Sequence, residues 1–260
     1  MPSLPAVLIT GASTGIGATY AERFARRGHD LVLVARRADK LAENATRLRA
    51  ETGVAVDVLP ADLTNDQDLA AVAKRLRDDA AIGILVNNAG ANVGGGFLTQ
   101  DADDLARLVT LNATSVLRLS HAVAPRFVAQ GAGAIINVSS VLALAPEFGT
   151  SVYSATKAFV LSLSQALQAE LGGKGVYVQA VLPGATRTEI WNFVDPAGVP
   201  PLMEVDDMVD AALIGFDARE AVTIPSLHED ARWPALEAAR HALMQDFGHD
   251  RPAERYRLPA

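Results

Sequence analysis

Short runs of β-branched and other apolar residues recur along the chain, at 7–9, 31–34, 54–58, 84–86, 135–138, 176–181 and 221–224. They lack a polar alternate face, as strands covered on both sides require. Between them lie longer Ala-, Leu- and Arg-rich stretches with helical spacing, among them 18–27, 105–128 and 158–171. That alternation predicts right-handed βαβ units, and so an α/β, doubly wound parallel sheet of about seven strands with helices on both faces. The Pro- and Gly-rich stretch 194–201 interrupts the pattern before a helix that begins near Asp206. It reads as a linker or as an apolar lid spanning about 189–215, and the fringe of Trp191, Phe193, Leu202 and Met203 favours the lid.

Composition narrows the class. Half of the 260 residues are apolar and a fifth are charged, which suits one domain over 1–260 with a well-buried core. A net charge of −7 argues against a nucleic-acid partner. The opening Met1-Pro2-Ser3-Leu4-Pro5 has no signal-peptide pattern and no apolar run approaches a membrane span, so the expectation is a cytoplasmic protein without a membrane partner. The absence of cysteine closes off thiol chemistry, and His228, His241 and His249 lack metal-site spacing, so no metal is expected.

Directly after the first strand stands Thr10-Gly11-Ala12-Ser13-Thr14-Gly15-Ile16-Gly17. A loop between strand and helix presents free N–H groups and a helix dipole to a dinucleotide diphosphate, the arrangement of a Rossmann-like sheet. Gly11 permits the turn, Gly15 a close approach to phosphate, and Gly17 tight strand–helix packing. The spacing differs from G-x-G-x-x-G, and a plain turn is the alternative reading. Where an NAD-selective enzyme offers a carboxylate to the ribose 2′-hydroxyl, this chain has Ala35-Arg36-Arg37. Guanidinium forks match a 2′-phosphate, so Arg36 and Arg37 predict NADP(H); solvated surface arginines are the alternative. Asp62-Leu63 and Asn87-Asn88-Ala89-Gly90 end two further strands at the same crevice. Asp62 can accept from the adenine amino group and Asn87 can brace backbone, although each segment alone is ordinary turn chemistry.

The fifth strand ends in Asn137-Val138-Ser139-Ser140, and Tyr153-Ser154-Ala155-Thr156-Lys157 opens a long apolar helix. Tyr153 and Lys157 are four apart and project from one face. A phenol of pKa about 10 works near neutrality only if a fixed cation stabilises its anion, which Lys157 can supply. Ser140 can hold the substrate oxygen beside the phenol. Taken alone, such a Tyr-Lys pair is common helix decoration.

Together these residues resemble the short-chain dehydrogenase/reductase family, in its single-domain branch with the T-G-x-x-x-G-x-G loop and the Y-x-x-x-K pair. The match runs from Val7 to Thr188. The resemblance implies that Asn112, Ser140, Tyr153 and Lys157 are the catalytic set, with Ser140 chosen over Ser139 because it stands thirteen residues before Tyr153. It implies coenzyme contacts from Gly11, Ser13, Thr14, Gly15, Ile16, Gly17, Arg36, Arg37, Asp62, Leu63, Asn88, Ala89, Gly90, Tyr153 and Lys157. It adds the Pro183-Gly184-Ala185-Thr186-Arg187-Thr188 segment, in which Pro183, Gly184, Thr186 and Thr188 would hold the nicotinamide carboxamide. Residues 1–135 would then be mainly the coenzyme half and 136–260 the catalytic and substrate half.

The implied reaction moves hydride between C4 of the nicotinamide and a carbonyl or secondary alcohol. Tyr153 is the acid and base, and Lys157, the ribose hydroxyls and a water on Asn112 relay the proton. Substrate contacts are expected from Ser140, Leu142, Phe148, Tyr153, Trp191 and Phe193, with Met203 nearby, which suits an apolar or aromatic small molecule; core packing is the alternative for the apolar ones. The stretches 105–128 and 158–171 are apolar on more than one face, which leaves one for a partner subunit, and the resemblance implies a homodimer or homotetramer. Two rival functions remain: an NADP-binding regulator, which would not need the complete catalytic set, and a sugar-nucleotide epimerase, which would need more than the roughly seventy residues after Thr188.

Overall fold

The computed structural model describes residues 4–148, 151–191 and 199–257. The chain divides into two compact units, Met1–Pro225 and Ser226–Ala260. The first holds a seven-stranded parallel sheet of β1 (Ala6–Thr10), β2 (Leu31–Ala35), β3 (Val56–Pro60), β4 (Ile82–Asn87), β5 (Gly133–Val138), β6 (Val176–Val181) and β7 (Val222–Thr223). Their order across the sheet is β3-β2-β1-β4-β5-β6-β7, and every pairing is parallel. The order reverses direction between β1 and β4, which opens a crevice at the carboxyl ends of those strands.

Period-two side-chain alternation divides most of the core between two clusters, with a smaller third of Leu161, Ala180 and Leu182. Val7 and Ile9 of β1 join one apolar cluster and Ala6 and Leu8 the other. On the first face lie α1 (Gly15–Arg26), α2 (Ala38–Thr52) and α7 (Val205–Asp217), which bury stripes such as Tyr20-Ala21-Phe24-Ala25 and Met208-Val209-Ala212-Leu213. The opposite cluster takes Leu69, Val72, Ala73 and Leu76 of α3 (Asp66–Asp78) and Leu119, Ala122, Val123 and Phe127 of α5 (Ser115–Gln130). It also takes Leu171, the last residue of α6 (Ser151–Leu171). Residues 205–215, at the end of the expected lid, thus belong to a helix that covers the sheet.

Three elements depart from the hydrophobic pattern. β3 begins at Val56 instead of Val54, and as the sheet's edge it exposes Asp57 and Val58. The expectation of two covered faces therefore fails for this strand. α1 starts at Gly15, three residues before the apolar periodicity does. The stretch 105–128 is not one regular helix: α4 (Ala102–Val109) passes through a π-helical turn, Thr110–Thr114, before α5 begins. In the second unit, α8 (Arg232–Leu243) carries Pro234 in its first turn, where the missing N–H costs no helical hydrogen bond.

Candidate active site

At the crevice, the glycine loop is held from three sides. Thr10 Oγ1 donates to Val86 O at 3.3 Å and accepts from Asn88 N and Ala89 N, each at 3.0 Å. Asn88 Nδ2 donates to Thr10 O at 3.0 Å and Gly11 O at 3.3 Å, while Asn44 Nδ2 of α2 donates to Ala12 O and Ser13 O at 3.1 Å. The bracing expected of Asn87 thus falls to Asn88, with Asn44 as a second brace that looks in the sequence like any polar helix residue. Gly11 adopts φ +68°, and a Cβ on Gly17 would lie 2.3 Å from Gly11 O, so both positions require glycine.

The loop suits a diphosphate. Thr14, the N-cap of α1, makes no capping bond to the helix backbone, which leaves the first N–H groups for an anion. A Cβ placed on Gly15 would meet only the Thr188 side chain, at 3.3 Å. The segment after β6 thus approaches the glycine loop closely at Gly15.

Beyond the end of β2, Arg37 Nη2 reaches Thr14 Oγ1 at 2.8 Å, Glu189 Oε2 at 3.1 Å and Ser13 Oγ at 3.4 Å. Arg36 acts on Asp62. Burial opposes charge on that carboxyl, but hydrogen bonds from Thr64 N and Thr64 Oγ1 together with Arg36 hold it below the usual carboxylate range. Its Oδ1 is thereby engaged in a local turn. Leu63 is buried in the core, so only its backbone is placed to touch a ligand.

The candidate catalytic residues gather where β5 meets α6. The Ser140 side chain adjoins the Tyr153 phenol. Burial pushes the phenol above its ordinary pKa, and the Ser140 hydroxyl only partly opposes this. Lys157 is buried, and desolvation pulls its ammonium down to about 8. Its Nζ donates to Val138 O at 2.9 Å and lies 5.6 Å from the centre of the Tyr153 ring. The strand carbonyl holds one of the three N–H donors of the ammonium, which stays beside the phenol ring.

The two adjacent serines separate cleanly. Ser139 Oγ turns away from Tyr153 and donates to Lys157 O at 2.7 Å, whereas Ser140 Oγ faces the phenol and accepts from Leu142 N at 3.1 Å. Asn112 sits in the π-helical turn. Its Oδ1 accepts from Ala91 N at 3.0 Å, and its Nδ2 donates to Ala91 O at 2.9 Å and Thr156 Oγ1 at 3.2 Å. Thr156 Oγ1 donates in turn to Tyr153 O at 2.7 Å, a link with no signal in the sequence motif. Gly90 closes the cluster: a Cβ there would lie 3.3 Å from Asn112 Oδ1 and 3.4 Å from Lys157 Nζ.

After β6, Pro183 O accepts from Val141 N at 3.0 Å, tying this segment to the Ser140 loop. Thr186 Oγ1 turns onto Gly184 O at 3.1 Å, so it braces its own loop, while Thr188 faces Gly15. Trp191 Nε1 donates to Thr186 O at 2.8 Å, and Met203 bridges to Thr186. Leu142 and Trp191 are half-buried. Phe193 and the Phe148 side chain lie outside the described residues. Among the described residues, no group of three or more His, Asp or Glu side chains is arranged to hold a metal ion, and no helix is long and apolar enough to cross a membrane.

A family profile described as short chain dehydrogenase matches residues 5–197. Among curated proteins, the chain is 35% identical to a very-long-chain 3-oxoacyl-CoA reductase of Bos taurus over 82% of its own length and 69% of that protein's. It is 40% identical to serine 3-dehydrogenase of Agrobacterium fabrum over 70% of its length and 72% of that protein's. Among solved structures, a short-chain dehydrogenase from Sphingobium yanoikuyae in complex with NADPH superposes with TM-score 0.96 at 63% identity, covering 98% of this chain and 100% of that one. The bulky-bulky ketone specific alcohol dehydrogenase from Comamonas testosteroni gives TM-score 0.94 at 56% identity, covering 99% and 100%.

Proposed function

The chain belongs to the short-chain dehydrogenase family, and on that premise we propose that it is an NADP(H)-dependent oxidoreductase that interconverts a ketone bearing apolar or aromatic groups and its secondary alcohol. The observation that carries this reading is the convergence of Ser140, Tyr153 and the buried Lys157, whose Nζ lies 5.6 Å from the centre of the phenol ring. The kinship with an NADPH complex and with a ketone-specific dehydrogenase supports the coenzyme and the substrate class.

When bound, NADPH supplies the hydride. Gly11 to Gly17 would hold its diphosphate, Arg36 and Arg37 its ribose end, and Thr188, which meets Gly15, its nicotinamide carboxamide. Ser140 Oγ positions the substrate oxygen against the Tyr153 hydroxyl, which delivers its proton as negative charge develops on that oxygen. A phenol raised by burial holds this proton near neutrality, the state that reduction needs. Lys157 replenishes the proton, and Asn112, fixed by Ala91 and Thr156, holds the water that links the lysine to solvent. Oxidation of the alcohol runs the same path backwards.

The half-buried Leu142 and Trp191 support an apolar pocket wall. Exposed Val109, Leu117 and Phe159 support a homodimer or homotetramer joined through the 105–128 and 158–171 helices, with light scattering as the check. The deciding experiment follows NADPH consumption against a panel of bulky ketones. Wild-type protein should turn over, and Tyr153→Phe should lose at least about a thousandfold in rate while binding NADPH with near-normal affinity. Comparable rates in the variant would remove Tyr153 from the reaction; no turnover of any carbonyl by wild type would favour a coenzyme-binding regulator.

A further inference from the structure

Glu189 is absent from every sequence motif, yet its carboxylate meets both the glycine loop and Arg37. It follows Thr188, whose side chain meets Gly15, and its Oε2 accepts from both Arg37 Nη2, at 3.1 Å, and Thr14 Oγ1, at 3.3 Å. Arg37 Nη2 is shared with Thr14 Oγ1 and Ser13 Oγ as well. A single guanidinium nitrogen thus serves three acceptors, only one of which carries charge. The carboxylate also faces the start of α1, where negative charge is favoured and where Thr14 makes no cap of its own. Glu189 therefore takes the seat of an anion with the donors that a phosphate would use.

We propose that Glu189 is a specificity-determining residue that competes with the coenzyme's 2′-phosphate for Arg37. The inference rests on the assignment of Arg37 to the ribose end of the groove. A phosphate dianion carries more charge and more acceptors than a carboxylate and takes the guanidinium from it. The freed carboxylate then stands near like charge. A bare ribose hydroxyl cannot displace Glu189, so NADH leaves the clasp closed and meets no such opposition. Glu189 accordingly tempers the preference for NADPH that the arginines create. Both partners are about half exposed, with side-chain accessibilities of 44% for Arg37 and 57% for Glu189, so the effect is that of a solvated ion pair and is modest.

The test is equilibrium titration of nicotinamide fluorescence with NADPH and NADH, using wild type, Glu189→Gln, Arg37→Gln and the double variant. Glu189→Gln should tighten NADPH about three- to fivefold and NADH by less than about twofold. In the Arg37→Gln background, Glu189→Gln should no longer favour NADPH. Unchanged or weaker NADPH binding by Glu189→Gln overturns the proposal, as does equal tightening of both coenzymes, which would place the carboxylate against the diphosphate instead. An Arg37→Gln variant with the wild-type ratio of NADPH to NADH affinity would show that the Arg37 assignment itself had failed. That result is separable from the others because it does not involve Glu189.

Discussion

Lys157 combines two demands that conflict at the level of a single residue. Its ammonium has to reach the phenol region from inside the protein, so it gives up water, and its compensation is one strand carbonyl, Val138 O. Burial moves its pKa from 10.5 to about 8. Between those values the unfolded chain holds the proton more tightly than the folded one, so this group's contribution to stability rises as pH increases. The unfolding free energy of wild type relative to Lys157→Met should therefore climb by on the order of 3 kcal/mol from about pH 8 to about pH 10.5. A difference that stays flat across this window would show that the lysine is not desolvated in the folded state. Of the catalytic group, the residue types and their spacing were legible in the sequence. The choice of Val138 O over the phenol as partner was not, because it depends on how close β5 and α6 approach.

At the scale of elements, a buried polar crossbeam holds the catalytic framework. Asn87 Nδ2 of β4 donates to Ser120 Oγ of α5 at 3.1 Å and to Asn137 Oδ1 of β5 at 2.9 Å. Asn137 Nδ2 donates to Ser164 Oγ of α6 at 2.9 Å. Two strands and the two helices that carry or follow the catalytic residues are thereby fixed in register through side chains that see no water. Asn137→Ala should cost about 2–3 kcal/mol, read from the denaturation midpoint, because it strips buried partners from Asn87 and Ser164. A loss below about 0.5 kcal/mol would mean that water or a local shift repairs the network. From the sequence, Asn87 reads as a brace of nearby backbone. An asparagine at a strand end has several such partners available, and only the neighbouring elements select among them.

For the molecule as a whole, ligand binding and folding are linked. A coenzyme seated between the glycine loop, the end of β2 and the segment after β6 touches elements that are far apart in sequence, so it stabilises the folded state by mass action. NADPH at about one hundred times its Kd should add about 2.7 kcal/mol and raise the melting temperature by roughly 5–10 °C in a calorimetric scan. NADH at the same concentration should raise it less, and an equal rise would contradict the part given to Arg36 and Arg37.

Much of this protein is written locally. The seven apolar runs, the glycine loop after the first of them, the arginines after the second and the Tyr153–Lys157 spacing are properties of short segments, and short-range sterics, periodicity and side-chain chemistry suffice to read them. Tertiary structure decided what such rules cannot reach. It made β3 an edge with an exposed face, broke the helix at Asn112 into a π-helical turn, sent Ser139 Oγ to Lys157 O and Ser140 Oγ to Leu142 N, and brought Glu189 to Arg37 across 152 positions of sequence. Each of these depends on which surfaces meet when the sheet closes. A hydrogen bond or a buried charge is settled by its neighbours in space, and those are known only once the chain is folded.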